Sequence, residues 1–249
     1  MSSNLLSFNV DNFDSFSVKE SYLNLKEEEP NLINKNNYAL SLETRKNMLN
    51  WLSFLCKTLN FTNQTLFRVV SIFDLYTSKI TKKEIENISQ EKLNLITIAC
   101  LSLSTKLEEN NCNYIPFLNE KVLNSPNKII FTNKDLINME CEILKVLKYK
   151  LIYSTPLDFI DIYMDIFSNF NKKNDFVIVP EILSNIRNVS INIMINNINS
   201  KTYLINTSSH FAYLCFIQAL NQISIIYSIS FKQLEKIILT FNYQFENIF

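Results

Sequence analysis

The 249-residue chain contains no glycine at all. Loops that cradle phosphates in kinases, P-loop proteins and dinucleotide-binding folds need a backbone approach that a Cβ obstructs, so those classes are excluded together. Where the backbone must turn through positive φ, at helix C-caps and tight turns, asparagine is left to serve. Asn, Lys, Ile, Phe and Tyr are abundant, while Ala and Arg are scarce. That pattern is the codon bias of an AT-rich genome and says little about chemistry.

Charge narrows the classes further. The 24 basic and 24 acidic side chains cancel, which argues against a general nucleic-acid binder, since such proteins carry a basic surplus. With 47% apolar residues the chain can bury a sizeable core in one or two domains. Its apolar runs fall short of the roughly 20 residues a membrane helix needs, so no membrane association is expected. The opening Met1-Ser2-Ser3-Asn4 lacks the basic start and apolar stretch of a signal peptide. Five cysteines (56, 100, 112, 141 and 215) form no metal-ligand cluster, and most sit in apolar stretches. An odd number disfavours a disulfide framework, so reduced, buried thiols of an intracellular protein are expected. The single histidine, His210, lies in the apolar stretch Phe211, Tyr213, Leu214 and is expected to be packed or capping. No nucleophile–base constellation stands beside it. The chain is therefore read as a non-enzyme without cofactors or metals.

Helical periodicity runs the length of the chain. Residues 42–59 place Leu42, Met48, Leu49, Leu52, Leu55, Cys56 and Leu59 at helical spacing, with Trp51 among them. Thr62 or Asn63 can cap a second helix reaching about Ser78, and polar residues 79–92 read as a connection. A third helix from about Gln90 to Glu108 is apolar on nearly every side, the mark of a bundle's central helix. A fourth is expected at about 114–124. Thr132 and Asp135 form a capping pair for a fifth at about 133–147. Thr155-Pro156 then opens another, and further helices are expected at 178–198, 203–222 and 230–241. The reading is all-α: an N-terminal segment with a short helix (1–40), a helical bundle (41–150), and a second helical half (151–249).

Two charges stand in apolar places. Glu140 lies in the stripe Leu136, Ile137, Cys141, Leu144, with no basic residue three or four positions away. A lone buried carboxylate costs several kcal/mol as an order of magnitude, so its partner must come from elsewhere. Lys106, near the end of the central helix, is the best candidate. The bland alternative is that Lys106 complements its helix dipole while Glu140 reaches water. Glu108 and Glu109 sit at a helix C-terminus, where carboxylates are unfavourable, and argue against a purely dipolar design.

The segment from Leu93 to Glu109, LNLITIACLSLSTKLEE, resembles the central helix of the cyclin box. Arg45-x-x-Met48-x-x-Trp51-Leu52 resembles that family's first-helix motif, and Thr65-Leu66 with Phe73-Asp74 its second-helix stretch. Met139-Glu140-x-x-Ile143-Leu144-x-x-Leu147 resembles the fifth-helix motif, and Ser154-Thr155-Pro156-x-x-Phe159 the linker. The residues 18–30, VKESYLNLKEEEP, resemble the short helix before the box. The likeness is to A- and B-type cell-cycle cyclins, with a divergent and short second box. It implies the cyclin fold, two consecutive helical bundles. It also implies a regulatory subunit that binds and activates a cyclin-dependent kinase in mitotic or S/M control, in nucleus and cytoplasm.

By motif position, Lys106 and Glu140 would bond backbone groups around the kinase αC helix, and Leu103, Leu107, Leu144 and Tyr149 would form its apolar seat. For Leu103 and Leu144 ordinary core packing is the stronger reading. The family's substrate-docking patch maps to Arg45, Met48, Leu49, Trp51 and Asn94. Here Thr44 and Asn47 replace apolar positions, Phe54 replaces the acid and Asn94 the glutamine, so docking is expected to be weak or altered. No destruction signal is visible. The other readings are a transcription-associated cyclin, a promoter-binding factor of the transcription-factor-IIB type (disfavoured by the neutral charge and missing zinc ribbon), and a non-activating adaptor on the same fold.

Overall fold

The computed structural model describes residues 15–29, 40–109, 131–173, 180–227 and 238–239. Among these there are ten helices and no strand. They are α1 (Ser15–Glu28), α2 (Leu42–Thr58), α3 (Asn63–Lys79), α4 (Lys82–Glu86), α5 (Gln90–Glu108), α6 (Asn133–Val146), α7 (Pro156–Lys173), α8 (Pro180–Asn197), α9 (Lys201–Ile205) and α10 (Ser208–Ile226). The helix expected at 114–124 lies outside the described residues, as does that at 230–241 apart from Ile238 and Leu239.

Hydroxyl caps start the helices. Ser41, Thr62, Thr81, Ser89, Thr132, Ser200 and Thr207 each accept a bond from a first-turn N–H. Two of these caps correct the sequence reading. Thr81 and Glu84 close a capping box within the stretch read as a polar connection, and the short α4 it starts buries Ile85. The helix expected at 203–222 is instead α9 and α10. Asn206 is extended, and Thr207 begins a fresh helix by capping the N–H of His210.

In the capping boxes, Glu84 and Asp135 each accept bonds from the backbone N–H and hydroxyl of their cap threonine, which holds both carboxyls below their ordinary pKa. Bonds to the ionised form favour ionisation, so this contribution is present at neutral pH and lost as pH falls through the carboxylate range. With the intrinsic pH dependence of exchange divided out, protection of the Thr81 and Thr132 amides, which the two carboxylates accept, is expected to fall on acidification before that of the core.

Helix α5 is the axis of the first bundle, packing against α2, α3 and α6. Ile96, Thr97, Ile98, Ala99, Cys100 and Leu101 are all fully buried. Its small polar residues survive there by bonding back to their own helix: Thr97 to Leu93 O, Ser104 to Cys100 O, and Thr105 to Ser102 O. The second bundle packs α7, α8 and α10 on one another. Its interior is aromatic, with Phe216 lying 6.1 Å from Tyr163 and 5.7 Å from Phe167.

The N-terminal α1 docks on α7, setting Tyr22 edge-on against Phe159. Its acidic end is partly structural. Glu29 pairs with Lys26 and accepts the backbone N–H of Ser209 at 2.7 Å, adding a second cap to α10.

The halves are stapled by buried charge. Arg45, fully buried, donates Nε and Nη2 to the two carboxylate oxygens of Asp74 at 2.8 and 2.7 Å. Both its terminal nitrogens also reach the carbonyl of Ile198, just past α8. Its guanidinium carbon lies 5.6 Å from the Tyr203 ring centroid. Arg68 likewise joins Glu108 to the Tyr153 carbonyl.

Two residue types depart from expectation. His210 is exposed and stacks on Tyr213, because its position on α10 faces away from the bundle. Cys56, Cys100 and Cys215 are buried, but Cys141 is exposed on the outer face of α6, and Cys112 lies outside the described residues.

Candidate partner-binding site

The box at Thr132 fixes the register of α6, turning Leu136, Met139 and Ile143 into the core and leaving Ile137 and Cys141 outside. Glu140 falls on the seam between those faces, its side chain 9% exposed. In the last turn of α5, Lys106 reaches across, its Nζ 2.7 Å from both carboxylate oxygens. The partner that the lone acid required is thus supplied by another helix. The Lys106 side chain is 38% exposed, and a carboxylate holding one cation retains lone pairs. Such a pair can take up further backbone N–H and C=O groups.

The neighbouring acids have other employment. Glu108 pairs with Arg68 at 2.6 Å. Glu109 accepts from the Thr62 backbone N–H and from the hydroxyls of Thr62 and Thr65, capping α3 from outside. Their unfavourable place at the end of α5 is offset by what they do for other elements. Sequence reasoning missed both roles. The available signal was Arg68, a cation within the apolar run Leu66-Phe67-Arg68-Val69-Val70.

Helix α6 ends in a turn of unusual backbone. Leu147 N–H bonds Ile143 O, Lys148 N–H bonds Lys145 O, and Tyr149 N–H bonds Leu144 O at 2.7 Å. Lys148 and Tyr149 hold φ of 53° and 61°. Asparagine fills the equivalent position after α2, where Asn60 has φ 56°, but here the missing glycine is replaced by two residues with side chains. The left-handed conformation costs about 1–2 kcal/mol per residue, against about 0.5–1 for the entropy of a glycine. Lys148→Gly is expected to stabilise the chain by about 0.5–1 kcal/mol, a rise in melting temperature of about 1–4 °C by calorimetry.

The proposed apolar seat divides. Leu103 is 6% exposed and Leu144 packs partly against the core, so both serve the bundle. Leu107, 42% exposed, and Tyr149, 70% exposed, face outward at the ends of α5 and α6.

Residues 13–152 match the family model described as "Cyclin, N-terminal domain". The chain belongs to the cyclin family. Its relatives include cyclin-D2-2 of Oryza sativa subsp. japonica, 28% identical over 131 residues, covering 52% of this chain and 35% of that protein. G2/mitotic-specific cyclin-B of Dictyostelium discoideum is 29% identical over 126 residues, covering 51% and 26%. G1/S-specific cyclin-E1 of Danio rerio is 28% identical over 125 residues, covering 50% and 28%. The chain thus spans about a third or less of the length of these relatives. A viral cyclin from herpesvirus saimiri superposes with a TM-score of 0.61 at 17% identity, over 93% of this chain and 97% of that one, which establishes the two-bundle cyclin fold. D-, B- and E-type cyclins appear side by side, so these likenesses fix the family and not the subtype.

In this cyclin the docking-patch positions are largely internal. Arg45 and Leu49 are fully buried, Asn94 is 5% exposed and bonded by Gln90, and Met48 is 8% exposed. Trp51 alone of the five is more than marginally open, because α2 turns Arg45, Met48 and Leu49 toward α3 and α5, while Asn94 is buried on α5 itself. Arg45 therefore acts as an interior staple. On the open side of α2 stand Phe54 and Leu42, at 63% and 50%.

Proposed function

We propose that this cyclin binds the catalytic subunit of a cyclin-dependent kinase and activates it, in mitotic or S/M control of the cell cycle. It acts as a regulatory subunit with no cofactor and no catalytic residue of its own, in nucleus and cytoplasm. The observation that carries the reading is the Lys106–Glu140 pair, open to solvent on its lysine side, with the outward apolar residues Leu107 and Tyr149 at the ends of the same two helices. The pair offers donors and acceptors to the backbone around the kinase αC helix, and the apolar residues offer it cover.

Activation is a population shift. The cyclin binds the inward αC arrangement, which seats the kinase's αC Glu against its ATP-binding Lys, more tightly than the outward one. Moving an equilibrium from 1:99 to 99:1 takes about 5.5 kcal/mol of differential binding. The names of the relatives favour a cell-cycle over a transcriptional role. The test is co-purification with purified kinase subunits followed by a histone-type kinase assay, using wild type and the pair variants described below. A wild-type chain that binds a kinase without raising its activity would make it a non-activating adaptor instead.

Substrate docking follows from the altered patch. With Phe54 where the family pattern has an acid, a peptide bearing Arg-x-Leu loses its charged anchor and is expected to bind at least about tenfold more weakly than to a cyclin retaining that acid. Competition by fluorescence anisotropy measures this, and equal affinities would refute it.

A further inference from the structure

The turn after α6 concentrates charge that the rest of the chain balances. Within residues 145–152, KVLKYKLI, there are three lysines and no acid, although the whole chain is neutral. Lys145, Lys148 and Lys150 are exposed, and among the described residues none of them takes part in an ion pair. The carboxylates closest in sequence are engaged elsewhere, Glu142 by the Tyr76 hydroxyl at 2.6 Å and Glu140 by Lys106. Lys150 rests on the Tyr153 ring, its Nζ 5.3 Å from the centroid. Between the lysines stand exposed apolar side chains: Val146 at 37%, Tyr149 at 70% and Ile152 at 59%.

We infer that this turn is an electrostatic docking rim, shaped for an acidic-flanked apolar helix of the kinase partner and acting mainly on the rate of encounter. The inference rests on the proposed kinase binding and adds to it the chemistry of the partner's surface. Three exposed apolar side chains within seven residues favour an apolar cover, which a phosphate backbone does not give. Unneutralised lysines around them favour carboxylates on that cover's edge. At 1.5 Å per residue, Val146 at the end of α6 lies roughly 9 Å along the helix from Glu140, and the turn follows it directly, so one partner helix of ordinary length reaches both. The seam pair then grips the helix backbone, while the lysines, solvated and flexible, steer the approach and add little once contact is made.

The test uses the full chain and the triple variant Lys145→Glu, Lys148→Glu, Lys150→Glu, with the Gln triple as a milder control. Each is passed over a panel of immobilised cyclin-dependent kinase catalytic subunits in a range of salt. Melting curves check that all three chains fold. For wild type the association rate is expected to fall at least about tenfold between roughly 50 and 500 mM salt. The Glu triple is expected to associate at least about tenfold more slowly at low salt, approach wild type at high salt, and change its dissociation rate less than about threefold. The Gln triple should fall between them. Equal rates and salt slopes for wild type and Glu triple would overturn the rim while leaving kinase binding standing. A wild-type chain that binds no kinase would overturn the underlying reading, and the rim with it. Loss of binding to phosphatidylserine vesicles in the triple, with kinase association unchanged, would overturn the proposal in favour of a lipid surface.

Discussion

Lys106→Ala is expected to lower kinase activation by about 30- to 1,000-fold, the counterpart of about 2–4 kcal/mol lost at a desolvated charged contact. The substitution removes a cation from a carboxylate that is 9% exposed, leaving Glu140 to face the partner as an unpaired charge. Glu140→Ala should do comparable harm from the other side, since the freed ammonium can turn to water while its acceptor is lost. The fold should tolerate either change with a loss of about 1–2 kcal/mol, because Lys106 is 38% exposed and already partly solvated. The discriminating variant is the swap Lys106→Glu with Glu140→Lys. It can rebuild the internal ion pair and recover most of the stability, yet it presents donor and acceptor in exchanged places. Stability recovered without activation would mark the pair as a contact surface. Activation recovered along with stability, or full activity in the double alanine variant, would reduce it to scaffolding. Urea unfolding and the kinase assay on the same preparations separate these outcomes.

Arg45→Ala is expected to destabilise the chain by about 3–5 kcal/mol. It strips Asp74, itself 3% exposed, of a bidentate partner and frees the Ile198 carbonyl, undoing the charge staple between the bundles. The loss of a common anchor should also show in cooperativity, with the second bundle melting ahead of the first in calorimetry. Asp74→Asn keeps the shape but replaces a carboxylate acceptor with an amide, and should cost less, about 2–3 kcal/mol. A paired apolar replacement, Arg45→Met with Asp74→Leu, should be milder than the sum of its parts, because neither charge is then left buried alone. If Arg45→Ala changed the midpoint by no more than a surface substitution does, the staple would carry no structural weight.

The contrast between these two charged pairs shows where sequence reasoning reached and where it stopped. Glu140 was conspicuous because an apolar stripe offered it no local partner, and the missing cation could be sought at the end of another helix. Arg45 drew attention too, but through a surface motif, and its burial was not legible from α2. Its partners Asp74 and Ile198 lie 29 and 153 residues away, and only the packing of α3 and α8 brings them to it. The burial of most docking-patch positions was illegible for the same reason: Leu49 and Asn94 lie on α2 and α5, and which side of each helix meets a neighbour depends on the neighbours. Glu108 and Glu109 seemed misplaced because their own helix was the only frame available. Their function is to complete α3 and hold Arg68.

What the sequence alone determined was the class and most of the helices. Absent glycine ruled out the phosphate-binding loops; 3.6-residue periodicity set the starts of α2 and α5, and threonine caps those of α3 and α6, within a residue or two. Those features depend on interactions spanning a single helical turn, so the local chain carries all the information. The break between α9 and α10 and the existence of α4 were of the same local kind, though each rests on one capping bond and is easily lost within a long apolar or polar run. The tertiary structure alone decided which charges are staples, which are caps and which stand open. Burial, and with it the difference between an interior ion pair and a contact surface, is set by what packs against a side chain from distant parts of the chain.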